Sequence, residues 1–127
     1  LLMNDAEKAI DKVSQLRQLG IQVSIDDFGT RYSSLNYLRR FQVSSIKIDQ
    51  SFVRDLLPNH SPAIIDAIIG IGHSFSLDVL AEGVETELQC RALRKLGCDK
   101  MQGFYFSRPL PAASIQAMLT SGEFPLQ

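Results

Sequence analysis

Two adjacent carboxylates, Asp26 and Asp27, close the run Ile21-Gln-Val-Ser-Ile-Asp-Asp-Phe-Gly-Thr30. An apolar-alternating stretch there opens into a loop that contains a glycine. Carboxylate oxygens suit hard divalent cations. Two such ions about 3.5–4 Å apart can clamp a phosphodiester and a nucleophilic water for in-line attack. On a regular strand the two side chains point to opposite faces. Sharing an ion site therefore requires the chain to turn at the strand end. Turn capping is the simpler use of an Asp-Asp pair.

Other short apolar runs end on further candidates. Ser45-Ile-Lys-Ile-Asp49 puts Lys47 and Asp49 two residues apart, on one strand face. A lysine in such a strand must be paired or reach water. It can steady transition-state charge, or it can close a structural ion pair. Leu77-Asp-Val-Leu-Ala-Glu-Gly-Val-Glu85 places Glu82 on the face of Leu80. Glu82 can serve as a metal ligand or as a base for water, whereas Glu85 favours the start of the next helix. Gln102 precedes Gly103-Phe-Tyr-Phe106 and offers an amide to a water or a guanine edge. The three aromatics read as core, and His60 and His73 stand apart, His73 as a structural residue. No Ser-His-Asp set, P-loop or dinucleotide fingerprint can be assembled from the rest.

These residues need elements to position them. Ala6, Ala9, Ile10, Val13, Leu16 and Leu19 recur at helical spacing. Asn4 is the expected cap with Glu7 reaching back, and Gly20 is the stop. Ile21 to Asp26 reads as strand one. Ser33 to Arg40 reads as a short helix with Leu35 and Leu38 inward, and Ser45 to Asp49 as strand two. Ser61 and Pro62 open a long apolar helix through Phe75. Leu77 to Glu82 is strand three, and Thr86 with Gln89 forms a capping box for a helix ending at Gly97. Cys98 to Gln102 is strand four, and Pro111 opens a last helix that stops near Gly122. Alternating helices and strands argue a parallel sheet with right-handed crossovers. Strands one and two each have one apolar face and one polar face. That pattern fits a barrel wall better than a sheet covered on both sides.

Composition narrows the partners. A formal net charge of -1 supplies no basic field to attract a nucleic-acid polymer or an anionic lipid surface. No apolar run approaches the roughly 20 residues of a membrane span, and the first residues do not read as a signal peptide. The 2 cysteines, Cys90 and Cys98, read as half-buried thiols and suit a reducing cytoplasm.

Taken together, the strings resemble one family. They are Ile25-Asp-Asp-Phe-Gly-Thr30, Tyr32-Ser-Ser-Leu35, Ile46-Lys-Ile-Asp49, Ser51-Phe-Val53, Ala81-Glu-Gly-Val-Glu-Thr86, Gly97-Cys-Asp99, Gln102-Gly103 and Ser107-Arg-Pro-Leu-Pro111. Their types and order resemble the EAL domains, bacterial phosphodiesterases that cut cyclic di-GMP. The resemblance implies a modified (β/α)8 TIM-like barrel, a fold of about 250 residues. It implies Asp26 and Asp27 as ligands of Mg²⁺ or Mn²⁺, and Asp49 as an aid to a second metal. It further implies Lys47 at the nucleophilic water, Glu82 as an essential glutamate and Gln102 near water and substrate. The implied reaction is hydrolysis of cyclic di-GMP to linear pGpG.

Two departures qualify that picture. The Glu-Ala-Leu signature, and an upstream asparagine and glutamate of the family, do not occur. Residues 1–127 therefore read as one partial domain, the C-terminal half of the barrel. The front half of a parent barrel, or a second copy as in a dimer, is the expected partner for its open edges. The isolated piece is expected to be inactive. Arg31 also stands where the family loop usually carries a glycine, and arginine lacks glycine's tolerance of positive φ. The alternatives are a degenerate module that binds cyclic di-GMP without cutting it, and a scaffold without ligand.

Overall fold

In a computed structural model of the chain, residues 5–30 and 35–123 are described. Asn4, Arg31, Tyr32 and the start of the helix expected from Ser33 lie outside the described residues. The elements run α1 (Asp5–Gln18), β1 (Ser24–Phe28), α2 (Leu35–Arg40), β2 (Ser45–Ile48), α3 (Gln50–Arg54), α4 (Ala63–Ser74), β3 (Asp78–Ala81), α5 (Glu87–Lys95), β4 (Lys100–Met101) and α6 (Ala112–Ser121).

The four strands are parallel and lie in sequence order, β1-β2-β3-β4. Sequential order with crossovers of one hand sends every helix to the same side, as in a (β/α) barrel wall and unlike a doubly wound sheet. The burial agrees. Ile46, Ile48, Val79 and Ala81 on the helix-covered face are fully buried, whereas Ser45, Lys47 and Leu80 on the other are half-buried. Ile65, Ile68 and Ile69 of α4 and Leu93 of α5 pack into the same core. Gly72 lets α4 lie close to the sheet, because a Cβ there would meet the Val79 side chain at 2.5 Å.

Three strands begin later than their hydrophobic runs suggest, and in each the first residue of the run still serves the preceding helix. After α1, Gly20 N–H donates to Arg17 O and Ile21 N–H to Leu16 O. After α5, Gly97 donates to Arg94 O and Cys98 to Leu93 O. After α4, Ser76 donates to His73 O and Leu77 to Gly72 O. Each pair is the paired-bond helix terminus with one residue in the left-handed region, here Gly20, Ser76 and Gly97 at φ 82°, 59° and 88°. The amides of Ile21, Leu77 and Cys98 thus belong to the helix ends and cannot enter the ladder.

Other expectations need correction. Asp49 does not end β2; it leaves the strand to cap α3, a short helix the hydrophobic pattern did not reveal. Leu38 is buried, but Leu35 is 51% exposed. Ser61 does not cap α4; Pro62 takes the cap position without a side-chain bond. Of the apolar face on α1, Val13 packs partly against the core and no residue is buried. The Thr86–Gln89 capping box forms as expected, with Gln89 N–H donating to Thr86 Oγ1 and Gln89 Oε1 accepting from Thr86 N–H.

Candidate functional site

The carboxyl ends of β1, β2 and β3 bring Asp26, Asp27, Lys47 and Glu82 together. A bulge makes this possible. Ile25 pairs with Ile46 and Phe28 with Ile48, so two residues, Asp26 and Asp27, stand opposite Lys47 alone. Asp27 adopts φ 52°, in the left-handed region that aspartate tolerates better than most side chains. Its amide donates to Asp26 Oδ1 at 2.8 Å, and its carbonyl accepts from Thr30 N–H and Oγ1. The strict alternation that would separate the two carboxylates is therefore broken. One oxygen each from Asp26, Asp27 and Glu82 lies within 4.8 Å of the others.

Lys47 Nζ stands 3.4 Å from Glu82 Oε1, with both side chains about three-quarters buried. The ion pair offsets part of the repulsion among the three carboxylates. Glu82 lies just past β3, and its amide still donates to Ile48 O at 3.2 Å.

Asp49 stands outside the trio. Its Oδ2 accepts from Ser51 N–H at 3.0 Å. The Ser51 hydrogen bonds hold its carboxyl below the usual range, burial opposes them, and Asp27 and Arg54 add to the lowering. Gln102 follows β4 on the same rim. Its N–H donates to Ala81 O and its carbonyl accepts from Val84 N–H, which ties it to the Glu82 loop. Two of the three following aromatics pack as expected, Tyr105 against Phe106 with centroids 5.2 Å apart. Phe104 is 42% exposed and carries the Arg108 guanidinium 4.8 Å above its ring.

The sequence reading passed over the supports of this rim. Gly83 and Gly103 are points of close backbone approach, the first to Gln50 and the second to Val84. A glycine directly after each candidate, Glu82 and Gln102, was the available signal. Asp49-Gln50-Ser51 likewise carries the aspartate-led pattern of a helix cap. At the opposite end of the sheet, Asp99 Oδ2 accepts from Val79 N–H at 2.8 Å and pairs with His73 Nε2 at 2.8 Å. His73 thus stands apart from the site residues, as expected, and pairs with Asp99.

The fold and this rim define a class: an α/β-barrel wall with an oxygen-donor site at the carboxyl ends of its strands. The model of the EAL domain matches residues 2–109, and the chain belongs to that family. It is 45% identical over 116 residues to the bifunctional diguanylate cyclase/cyclic di-GMP phosphodiesterase MucR of Pseudomonas aeruginosa, covering 91% of this chain and 17% of the relative. The cyclic di-GMP phosphodiesterase NbdA of the same organism is 44% identical over 124 residues, or 97% of this chain and 16% of that protein. Among solved structures, the EAL domain of Mycobacterium smegmatis DcpA superposes with a TM-score of 0.88 at 40% identity, covering 97% of this chain and 56% of that one. The PaMucR phosphodiesterase in complex with c-di-GMP gives 0.82 at 45% identity, covering 89% and 51%. The chain thus spans about half of these solved chains and less than a fifth of the curated relatives.

Proposed function

We propose that the chain supplies the Asp-Asp-Lys-Glu rim of a metal-dependent phosphodiesterase that hydrolyses cyclic di-GMP to pGpG. The observation that carries this reading is the bulge that turns Asp26 and Asp27 to one side beside Glu82. The named activity of MucR and NbdA supports the substrate.

The donor set consists of oxygens, which fits Mg²⁺ or Mn²⁺ rather than a softer ion. A cation bound there supplies Lewis-acid stabilisation of charge on the phosphoryl oxygens. Asp26, Asp27 and Glu82 would hold it. Asp49 remains a candidate aid to a second ion, with one oxygen already committed to Ser51. Lys47, held against Glu82, presents its ammonium to the water or the developing charge. Gln102 offers both donors and an acceptor to a guanine edge or a water at the same rim.

The reading includes a partner. β1 and β4 each have one unpaired edge in the described sheet. Open parallel edges seek pairing, and the front half of a barrel or a second copy in a dimer would meet them. The chain alone is then inactive, and it works in the cytoplasm, which its free cysteines support.

The test is pGpG release with Mg²⁺ or Mn²⁺ by this chain alone, and by the chain joined to an EAL front half. Turnover only by the joined protein, abolished by Asp27→Asn, is the expected result. Cyclic di-GMP bound but uncut by the joined protein would favour a binding module. A stable, folded monomer at micromolar concentration in size-exclusion chromatography would defeat self-association.

A further inference from the structure

We infer that Gln50 is a positioning residue for Glu82, acting through the backbone of Gly83. This rests on the cation-site reading above. Asp49 caps α3 through Ser51 and so fixes Gln50 as the first residue of that helix. The Glu82–Gly83 turn then crosses directly over Gln50. A Cβ built on Gly83 would lie 2.6 Å from Gln50 Cβ and 3.4 Å from both Gln50 Cα and Oε1. Gly83 has φ 74°, so the chain turns sharply just after Glu82.

Glu82 lies beyond the end of β3. Its amide bond to Ile48 O fixes the near side of the residue. The Gly83–Gln50 contact fixes the far side. Between these two anchors the carboxylate reaches the oxygens of Asp26 and Asp27 and the Lys47 ammonium. Gln50 meets the backbone of Gly83 rather than the reacting groups. It acts as a floor that stops the turn from sinking away from β1.

Residues that orient a ligand from behind commonly change metal affinity by about 10–100-fold. The experiment is a Mn²⁺ titration of the chain joined to an EAL front half, followed by the EPR signal of the free ion, with urea denaturation of the same samples. Gly83→Ala forces the turn off Gln50, and affinity is expected to fall at least about tenfold. Adding Gln50→Gly removes the obstructing Cβ and leaves Cα at 3.4 Å, an ordinary contact. Affinity should then return to within about twofold of the original. Stability should not return fully, because alanine at this φ stays strained. A general loss of the fold would instead weaken binding and lower the urea midpoint in parallel, in the single and the double variant alike.

Unchanged affinity in a folded Gly83→Ala variant overturns the inference, as does a folded double variant that stays weak. If Gly83→Ala does not fold, Gln50→Gly alone decides: weaker Mn²⁺ binding at an unchanged urea midpoint supports the role, and unchanged binding overturns it. Absence of Mn²⁺ binding by the unaltered joined protein overturns the cation reading and this inference together. Binding that ignores Gln50 and Gly83 overturns only the latter.

Discussion

Replacing Gly103 with alanine places a methyl group where the Glu82 loop already lies. Its Cβ would sit 2.7 Å from the Val84 carbonyl carbon and closer still to the Val84 nitrogen and oxygen. Carbon atoms in contact rest about 3.5–4.0 Å apart, so the overlap is roughly 1 Å. The obstacle is main chain, which has no rotamer to yield. Relief requires the segment after β4 to separate from Val84. That breaks Val84 N–H to Gln102 O and Tyr105 N–H to Val84 O, both 3.0 Å. Each bond contributes about 1 kcal/mol net, and overpacking adds about 1–3 kcal/mol. The expected loss is therefore roughly 3–5 kcal/mol, a large share of the stability of a small domain. Gly20→Ala is the matched control. Gly20 has φ 82° and nothing within 4 Å of a built Cβ, so it isolates the left-handed penalty of about 1–2 kcal/mol. The chain has 0 tryptophans, so urea unfolding is best followed by far-ultraviolet circular dichroism. If the two variants agree within about 0.5 kcal/mol, the close approach at Val84 is not what holds the β4 exit.

Other substitutions report on the opposite end of the sheet. Ser76→Gly removes the cost of a left-handed serine at the end of α4 and should raise stability by about 0.5–1 kcal/mol; a lowered urea midpoint counts against it. Burial pushes the Asp99 carboxyl up, but the Val79 amide and His73 outweigh it and the net pKa is lowered. The carboxylate's contribution is then complete above the unfolded value of about 3.9 and is lost as pH falls through the lower folded value. Asp99→Asn should cost about 1 kcal/mol near neutrality, with the gap closing below about pH 4 in urea midpoints measured across pH. A gap independent of pH refutes this. Burial raises the Cys98 pKa above its ordinary value, against hydrogen bonds that lower it. Its thiol should therefore react with iodoacetamide at pH 7.5 more slowly than a free cysteine does, as mass spectrometry can follow. Reaction as fast as a free thiol would count against the burial argument.

Much of the architecture was readable because packing repeats in the sequence. The apolar run through Ile65, Ile68 and Ile69 announces α4 and these three are buried there, while Ile64 of the same run is 59% exposed. The alternation through Ile46 and Ile48 marks the buried face of β2. Strand starts were misread because periodicity reports side-chain burial, whereas strand membership depends on where an amide donates. Ile21 and Cys98 continue an apolar pattern while their N–H groups serve the preceding helix. Ser76 carries no glycine to announce its turn. The site residues were legible as types, and their gathering at the strand ends was expected, but the device that turns the two aspartates together was not. Alternation predicts that Asp26 and Asp27 diverge, and only the unequal pairing with β2 reverses this. Gln50 was invisible for a related reason, since a contact through the backbone of Gly83 leaves no trace in side-chain chemistry.

The uneven pairing opposite Lys47 also makes this rim fragile to the loss of a single codon. Removing one of the two aspartates in frame would let β1 and β2 pair residue for residue, healing the ladder and shedding the left-handed backbone of Asp27. The shortened strand would be the sounder piece of sheet and would carry one carboxylate fewer. Drift from the paired aspartates to a plain wall therefore runs downhill in folding energy, and under the proposed function only selection on the chemistry would keep the extra residue in place.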